Sequence, residues 1–249
     1  MSQVSIASRS GGDIHGRIVP GTVTQVELIA RRMRRIRIEG DAVSELTWIP
    51  GQHVRMHVGD MHDPRSLLHP RGMLRSYSVW DYDGGIELCV LDHDGASGRG
   101  PGAQWAREVR PGQQVTFNLP EGSFGLRDAR YHVFAGDETA SVAFGAMLSV
   151  LPWAATAFGV IEVDEPGDRL PLDRDVVWQY RYGAPAASSR TLVDGLAKLD
   201  LPDEPGRAYL AGEARTIRML RDHLVKERGW PRQAISTKPF WTPGKRGLD

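Results

Sequence analysis

The sequence predicts two units, an antiparallel six-stranded β-barrel followed by an α/β unit built on a mostly parallel sheet. Residues 16 to 120 alternate apolar and polar side chains in short runs separated by Gly and Pro, the period of two of half-buried strands. After "EGSFGLRDAR" (121 to 130) the order becomes strand, helix, strand, and repeated βα units imply parallel strands with helices on their faces. A length of 249 residues suits two units at roughly 150 residues per domain. The barrel is placed over residues 16–125 and the α/β unit, with a basic C-terminal tail, over residues 130–249.

Six runs supply the barrel: "TVTQVELIA" (22 to 30), "MRRIRIEG" (33 to 40), "GQHVRMHV" (51 to 58), "LRSYSVW" (74 to 80), "GIELCVLD" (85 to 92) and "GQQVTFNLP" (112 to 120). In the second run Ile36 and Ile38 face one way while Arg35, Arg37 and Glu39 face the other. Six such strands with tight turns fit an antiparallel barrel. The stretch "HDPRSLLHPRG" (62 to 72) reads as an excursion over the barrel mouth.

In the second unit, "YHVFAG" (131 to 136) leads into a helix in which Val142, Ala146, Met147 and Val150 share one face. The strands "AFGVIEV" (157 to 163) and "DVVWQY" (175 to 180) follow, then a helix around "TLVDGLAKL" (191 to 199). The strand "AYLAG" (208 to 212) and a helix over 213 to 229 complete the pattern.

Composition excludes several functions. Lys plus Arg equals Asp plus Glu, 31 of each, so no global charge recruits nucleic acid or an anionic membrane. The single cysteine, Cys89, excludes a disulfide within the chain and a cysteine-ligated iron–sulfur cluster, so any electrons move on an organic cofactor. The first residues, "MSQVSIASRSGGD", lack the apolar run of a secretory signal, and a cytoplasmic monomer is expected. Residues 139 to 161 carry no charge, but Pro152 interrupts them, so they read as a helix, a Pro-Trp turn and a buried strand rather than a membrane span. His53, His57, His62 and His69 lack the helical spacing and neighbouring carboxylates of a metal site, and structural or solvated roles are expected for them.

A barrel followed by a parallel α/β unit is the layout of ferredoxin-reductase-like flavoenzymes, and "RSYS" (75 to 78) resembles their R-x-Y-[ST] flavin motif. Arg75 can pair with a pyrophosphate through forked donors, Tyr77 can lie along an isoalloxazine ring, and Ser78 can hydrogen-bond near flavin N5. The order of five motifs then resembles the siderophore-interacting protein family: "RSYS", "LDH" (91 to 93), "GPGAQW" (100 to 105), "GDETA" (136 to 140) and "KPFWTPGKRG" (238 to 247). The resemblance implies a ferric-siderophore reductase using FAD and NAD(P)H, with Asp92, His93, Gly100, Gly102, Ala103 and Trp105 around the cofactor. Gly102 and Ala103 depart from the family's usual Ala and hydroxyl residue, so this loop is expected to hold phosphate through backbone N–H groups.

For the nicotinamide nucleotide the sequence offers two strand-to-helix turns. The first is "GDETA", where Thr139 is the expected contact and Asp137 and Glu138 oppose a pyrophosphate. The second holds Gly212, Glu213 and Arg215. No G-x-G-x-x-G is present. Asp164, at the end of a strand, suits ribose hydroxyls and favours NADH, whereas nearby Arg169 works the other way. Flavin bridges a two-electron hydride donor and the one-electron acceptor Fe(III), and reduction weakens the hold of hard oxygen ligands on iron. Lys238, Lys245 and Arg246 are the expected contacts for an anionic ferric siderophore, with Trp241 stacking on a cofactor ring.

Overall fold

The structure, a computed structural model, describes residues 18–58, 74–92 and 101–245. The excursion at 62 to 72, together with His62, His69, His93, Gly100 and Arg246, lies outside them. Six antiparallel strands close a barrel: β1 (Ile18–Ala30), β2 (Met33–Glu39), β3 (His53–His57), β4 (Leu74–Tyr82), β5 (Ile86–Leu91) and β6 (Gln114–Asn118). Their order is β1-β2-β5-β4-β3-β6, and β6 returns to β1 in the register Ile18↔Asn118. The alternation of β2 appears as foreseen, with Ile36 and Ile38 fully buried inside the barrel. Outside, Arg37 pairs with Glu39, Asp83 and Glu87. A short helix, α1 (Asp41–Ser44), follows β2, and α2 (Pro101–Glu108) precedes β6. Proline at the first position of α2 costs nothing, because that N–H has no helical acceptor.

The second unit is a five-stranded parallel sheet of order β11-β10-β7-β8-β9. Its strands are β7 (Tyr131–Asp137), β8 (Thr156–Val163), β9 (Val177–Tyr180), β10 (Arg207–Glu213) and β11 (Ile235–Trp241). Helices α3 (Ala140–Ser149), α4 (Arg190–Ala197) and α5 (Ala214–Lys226) cover it. Leu192 and Leu196 of α4 join Ile217, Leu220 and Leu224 of α5 in one core, at the spacing of an amphipathic helix.

Helix α3 is buried on nearly every side because it lies between the sheet and the barrel. That explains its charge-free sequence without a membrane, and no helix among the described residues is long and apolar enough to cross one. A Cβ on Gly145 would fall 2.3 Å from the Trp80 ring, so only glycine lets α3 approach the barrel this closely. Met33, Cys89, Val142 and Leu170 pack into an apolar seam between the units. Cys89 is inert there, since burial pushes its thiol pKa up.

The C-terminal residues, expected as a basic tail, are instead partly built into the sheet. Residues 235 to 241 form β11, paired in parallel with β10 from Ala208↔Ile235 to Glu213↔Trp241. Lys238 and Pro239 hid the strand by interrupting its pattern. An edge position tolerates proline, because one side of the strand has no ladder to complete.

Candidate functional site

The "RSYS" segment of β4 forms a wall against which α2 rests. The Tyr77 ring stacks on Trp105 with centroids 5.8 Å apart, and Trp105 and Ala103 are buried. A Cβ on Gly102 would lie 2.6 Å from Tyr77 Oη and 3.2 Å from Arg75 Cγ. The glycine that departs from the family pattern is therefore what seats the first turn of α2 on both side chains. Tyr77 Oη is buried with no hydrogen-bond partner among the described residues, and burial pushes the phenol pKa up. Such a group is costly unless a ligand or an ordered water satisfies it. Arg75 donates to the Leu74 carbonyl at 2.6 Å, Ser78 is half-buried opposite His53, and Asp92 accepts from Arg107 Nε at 2.6 Å.

At the C-terminal ends of the parallel strands, several expected nucleotide residues converge on Asp137. Its Oδ1 accepts from the Thr139 N–H at 2.9 Å and the Thr139 hydroxyl at 2.5 Å. Its Oδ2 accepts from the Glu213 N–H at 2.8 Å and the Trp241 indole at 2.9 Å. Gly212 has φ of 123°, and a Cβ there would strike the same carboxylate. Asp137 thus ties β7, β10 and β11 together. Glu213 caps α5, accepting from the N–H groups of Arg215 and Thr216 and from that of Ser188. Burial alone would raise its pKa, but those donors outweigh it. Arg215 is exposed on the first turn of α5.

Burial, followed by the charge of Glu138, pushes the Asp137 carboxyl up from 3.8 to about 6. A carboxyl raised on folding takes up its proton in the folded state first, so this group's contribution to stability falls as pH rises through that window. The Trp241 environment should titrate with a midpoint of about 6, read as the fluorescence difference between the unaltered protein and Trp241→Phe. A flat difference from pH 4 to about 8 would remove Asp137 as the titrating group.

Asp164 accepts from the Gly183 N–H at 2.7 Å and lies 3.4 Å from Arg31. Arg169 lies over the rings of Tyr180 and Trp178. Arg31 and Arg32, from the turn between β1 and β2, both pair with buried Asp168, and Arg32 also reaches Glu138. The turn is thereby locked to the second unit.

On the opposite edge, Lys238 of β11 lines a cavity of about 340 Å³ with Gly122, Ser123, Phe124, Arg127, Ser236 and Thr237. Its Nζ lies 3.0 Å from His53 Nδ1 and within 6 Å of the Phe124 and Phe240 ring centres (5.9 and 5.5 Å). His53 and Arg127 are the residues that sequence reasoning did not place here. His53 and Lys238 stand 185 positions apart, and no local spacing connects them. Lys245 is exposed on the turn after β11.

The Siderophore-interacting FAD-binding domain model matches residues 22–124, and the Siderophore-interacting protein model matches residues 129–244. The chain belongs to the siderophore-interacting protein family. A relative, ferric vibriobactin reductase ViuB of Vibrio cholerae, is 27% identical over 176 residues, which cover 69% of this chain and 65% of ViuB. The match therefore spans just under two thirds of that relative. A siderophore utilization protein from T. fusca has a similar structure, with a TM-score of 0.79 at 24% identity, covering 94% of this chain and 95% of that one. The ferredoxin-NADP+ reductase of Plasmodium falciparum gives a TM-score of 0.75 at 12% identity, over 91% and 97% of the two chains. At these identities the two structures speak to fold alone. This siderophore-interacting protein has the ferredoxin-reductase-like arrangement of barrel and parallel sheet.

Proposed function

We propose that this protein passes electrons from NAD(P)H through FAD to a ferric siderophore, releasing Fe(II) in the cytoplasm, and that it acts as a monomer. The FAD unit is residues 16–125 and the nucleotide unit residues 130–249. The observation that carries this reading is the seat of Gly102 on Arg75 and Tyr77, with a buried phenol that has no hydrogen-bond partner among the described residues, in a segment matched by an FAD-binding family model. Bound FAD supplies the conversion from a hydride donor to a one-electron acceptor.

In this reading Arg75 pairs with the pyrophosphate, and the start of α2 adds backbone N–H groups at Gly102 and Ala103. Tyr77 supplies its ring and an available hydroxyl, and Ser78 sits toward the flavin edge, with Asp92, His93, Gly100 and Trp105 completing the surround. Thr139, Gly212, Glu213, Arg215 and Trp241 border the nicotinamide nucleotide, and Asp164 favours NADH. Glu138 is not an open negative charge against that ligand, because Arg181 pairs with both of its oxygens. Lys238, Lys245 and Arg246 attract the anionic chelate.

Anaerobic spectroscopy tests this. NADH should bleach the flavin faster than NADPH, and ferric siderophores should restore its colour. Colour restored by ferredoxin alone would make the protein a ferredoxin reductase, and no bleaching with either nucleotide would leave a binding protein without turnover. Arg75→Ala should weaken FAD retention by about 1.5 to 3 kcal/mol, the contribution of a hydrogen bond to a charged group. Unchanged flavin content after dialysis would remove Arg75 from the site.

A further inference from the structure

We propose that the His53–Lys238 pair makes the cavity beside β11 a proton-coupled anion site, in which an anionic chelate enters as Lys238 gains a proton. The inference rests on the chelate reading given above. Two nitrogens 3.0 Å apart share a single hydrogen, so one is donor and the other acceptor. A protonated imidazole and an ammonium cannot both occupy that geometry, because each would point a hydrogen at the other. The pair therefore carries at most one positive charge.

Even that one charge is held weakly. Lys238 lies over the faces of the Phe124 and Phe240 rings, whose attraction for the ammonium only partly offsets the water it loses on burial. Facing the pair are Glu121, whose carboxylate is 3.6 Å from His53 Nε2, and Arg55, which pairs with the same carboxylate oxygen at 2.6 Å. Arg127 adds a cation on the cavity wall. Arg55 thus compensates much of the negative charge that would otherwise hold a proton on the pair. Consistent with this, burial lowers Lys238 to about 8, and burial and then the Lys238 charge lower His53 to about 4.

An anion in the cavity reverses the balance, since an opposite charge favours the ammonium. A lysine suits this role and an arginine does not, because a guanidinium keeps its proton at any working pH. Affinity for the chelate should accordingly fall as pH rises above the value at which free Lys238 loses its proton.

The test is calorimetric titration of oxidised, FAD-loaded protein with a hexadentate gallium(III) tris-catecholate, which carries the charge of a ferric complex but accepts no electron. Runs in two buffers of different ionisation enthalpy give the number of protons taken up. Uptake should be near zero at about pH 6.5 and roughly half a proton or more at about pH 8.5. Lys238→Arg should bind the same chelate with no uptake at either pH. Binding without uptake at the higher pH, or uptake that persists in Lys238→Arg, overturns the coupling and leaves the chelate reading standing. A chelate that fails to bind at either pH overturns both.

Discussion

Replacing Arg181 with Ala should cost about 3 to 5 kcal/mol of stability at neutral pH, because it strands buried carboxylates that have no other cation of comparable reach among the described residues. The Arg181 side chain is 8% exposed, and its two terminal nitrogens lie 2.5 and 2.6 Å from the Glu138 oxygens. It also lies 3.7 Å from Glu162, which is fully buried. Arg32 reaches Glu138 at only 3.4 Å and is shared with Asp168. For a chain of this size the expected fall in Tm is roughly 6 to 20 °C. The deficit should shrink in acid. Burial already raises Glu162 and Asp137, and loss of the guanidinium raises them further. The folded variant then holds protons that the unfolded chain has released, so its stability falls as pH rises. Thermal unfolding at about pH 5.5 and pH 8 measures this, and an equal deficit at both would contradict the electrostatic origin. Glu138→Gln should recover part of the loss in the Arg181 variant, because the two side chains act as one pair.

How much of this was legible follows from the range of each signal. β2 can be read from local alternation, because Ile36 and Ile38 face the barrel core while Arg35, Arg37 and Glu39 face outward, whereas β5 is a nearly continuous apolar run, because its outer face, at Cys89, packs into the seam with the second unit. Helix α3 can be read despite its uniform apolarity, because Pro152 limits its length. β11 could not be read, since an edge strand holding Lys238 and Pro239 has neither alternation nor a continuous apolar run. The candidate site divides in the same way. "RSYS" and "GPGAQW" are each contiguous in the sequence, and Gly102 and Trp105 of the second pack on the wall formed by the first, with Ala103 buried beside them. The role of Asp137 is different in kind. A sequence shows an acidic residue at a turn where phosphate would be repelled, but not four donors from three segments that surround it. The pair of His53 and Lys238 depends on closure of the barrel against the sheet edge, which leaves no local trace.

Removing the carboxylate of Asp168 should loosen the joint between the two units more than it damages either one. Asp168 accepts from Arg31 at 3.2 and 2.7 Å and from Arg32 at 3.1 and 3.1 Å, and its side chain is 2% exposed. Two guanidiniums from the barrel thus converge on one buried carboxylate of the second unit. Because the Arg31 and Arg32 side chains are 42% and 27% exposed, solvent recovers part of the loss, and Asp168→Ala should cost about 2 kcal/mol, less than a fully buried pair. Burial would raise this carboxyl, but the hydrogen bonds from Arg31 and Arg32 outweigh it and hold it below the usual range. Its contribution is therefore present above the unfolded value and is lost as pH falls through the folded one. The variant should match the unaltered protein most closely in strong acid, the opposite trend to that from Asp137. The apolar seam of Met33, Cys89, Val142 and Leu170 remains, so each unit should stay folded while denaturant unfolding becomes less cooperative. On the proposed function, FAD retention should be unchanged and flavin bleaching by NADH should slow, because the two ligands are held by different units. Loss of FAD with normal bleaching of the remainder would place Asp168 in support of the flavin wall instead of the joint.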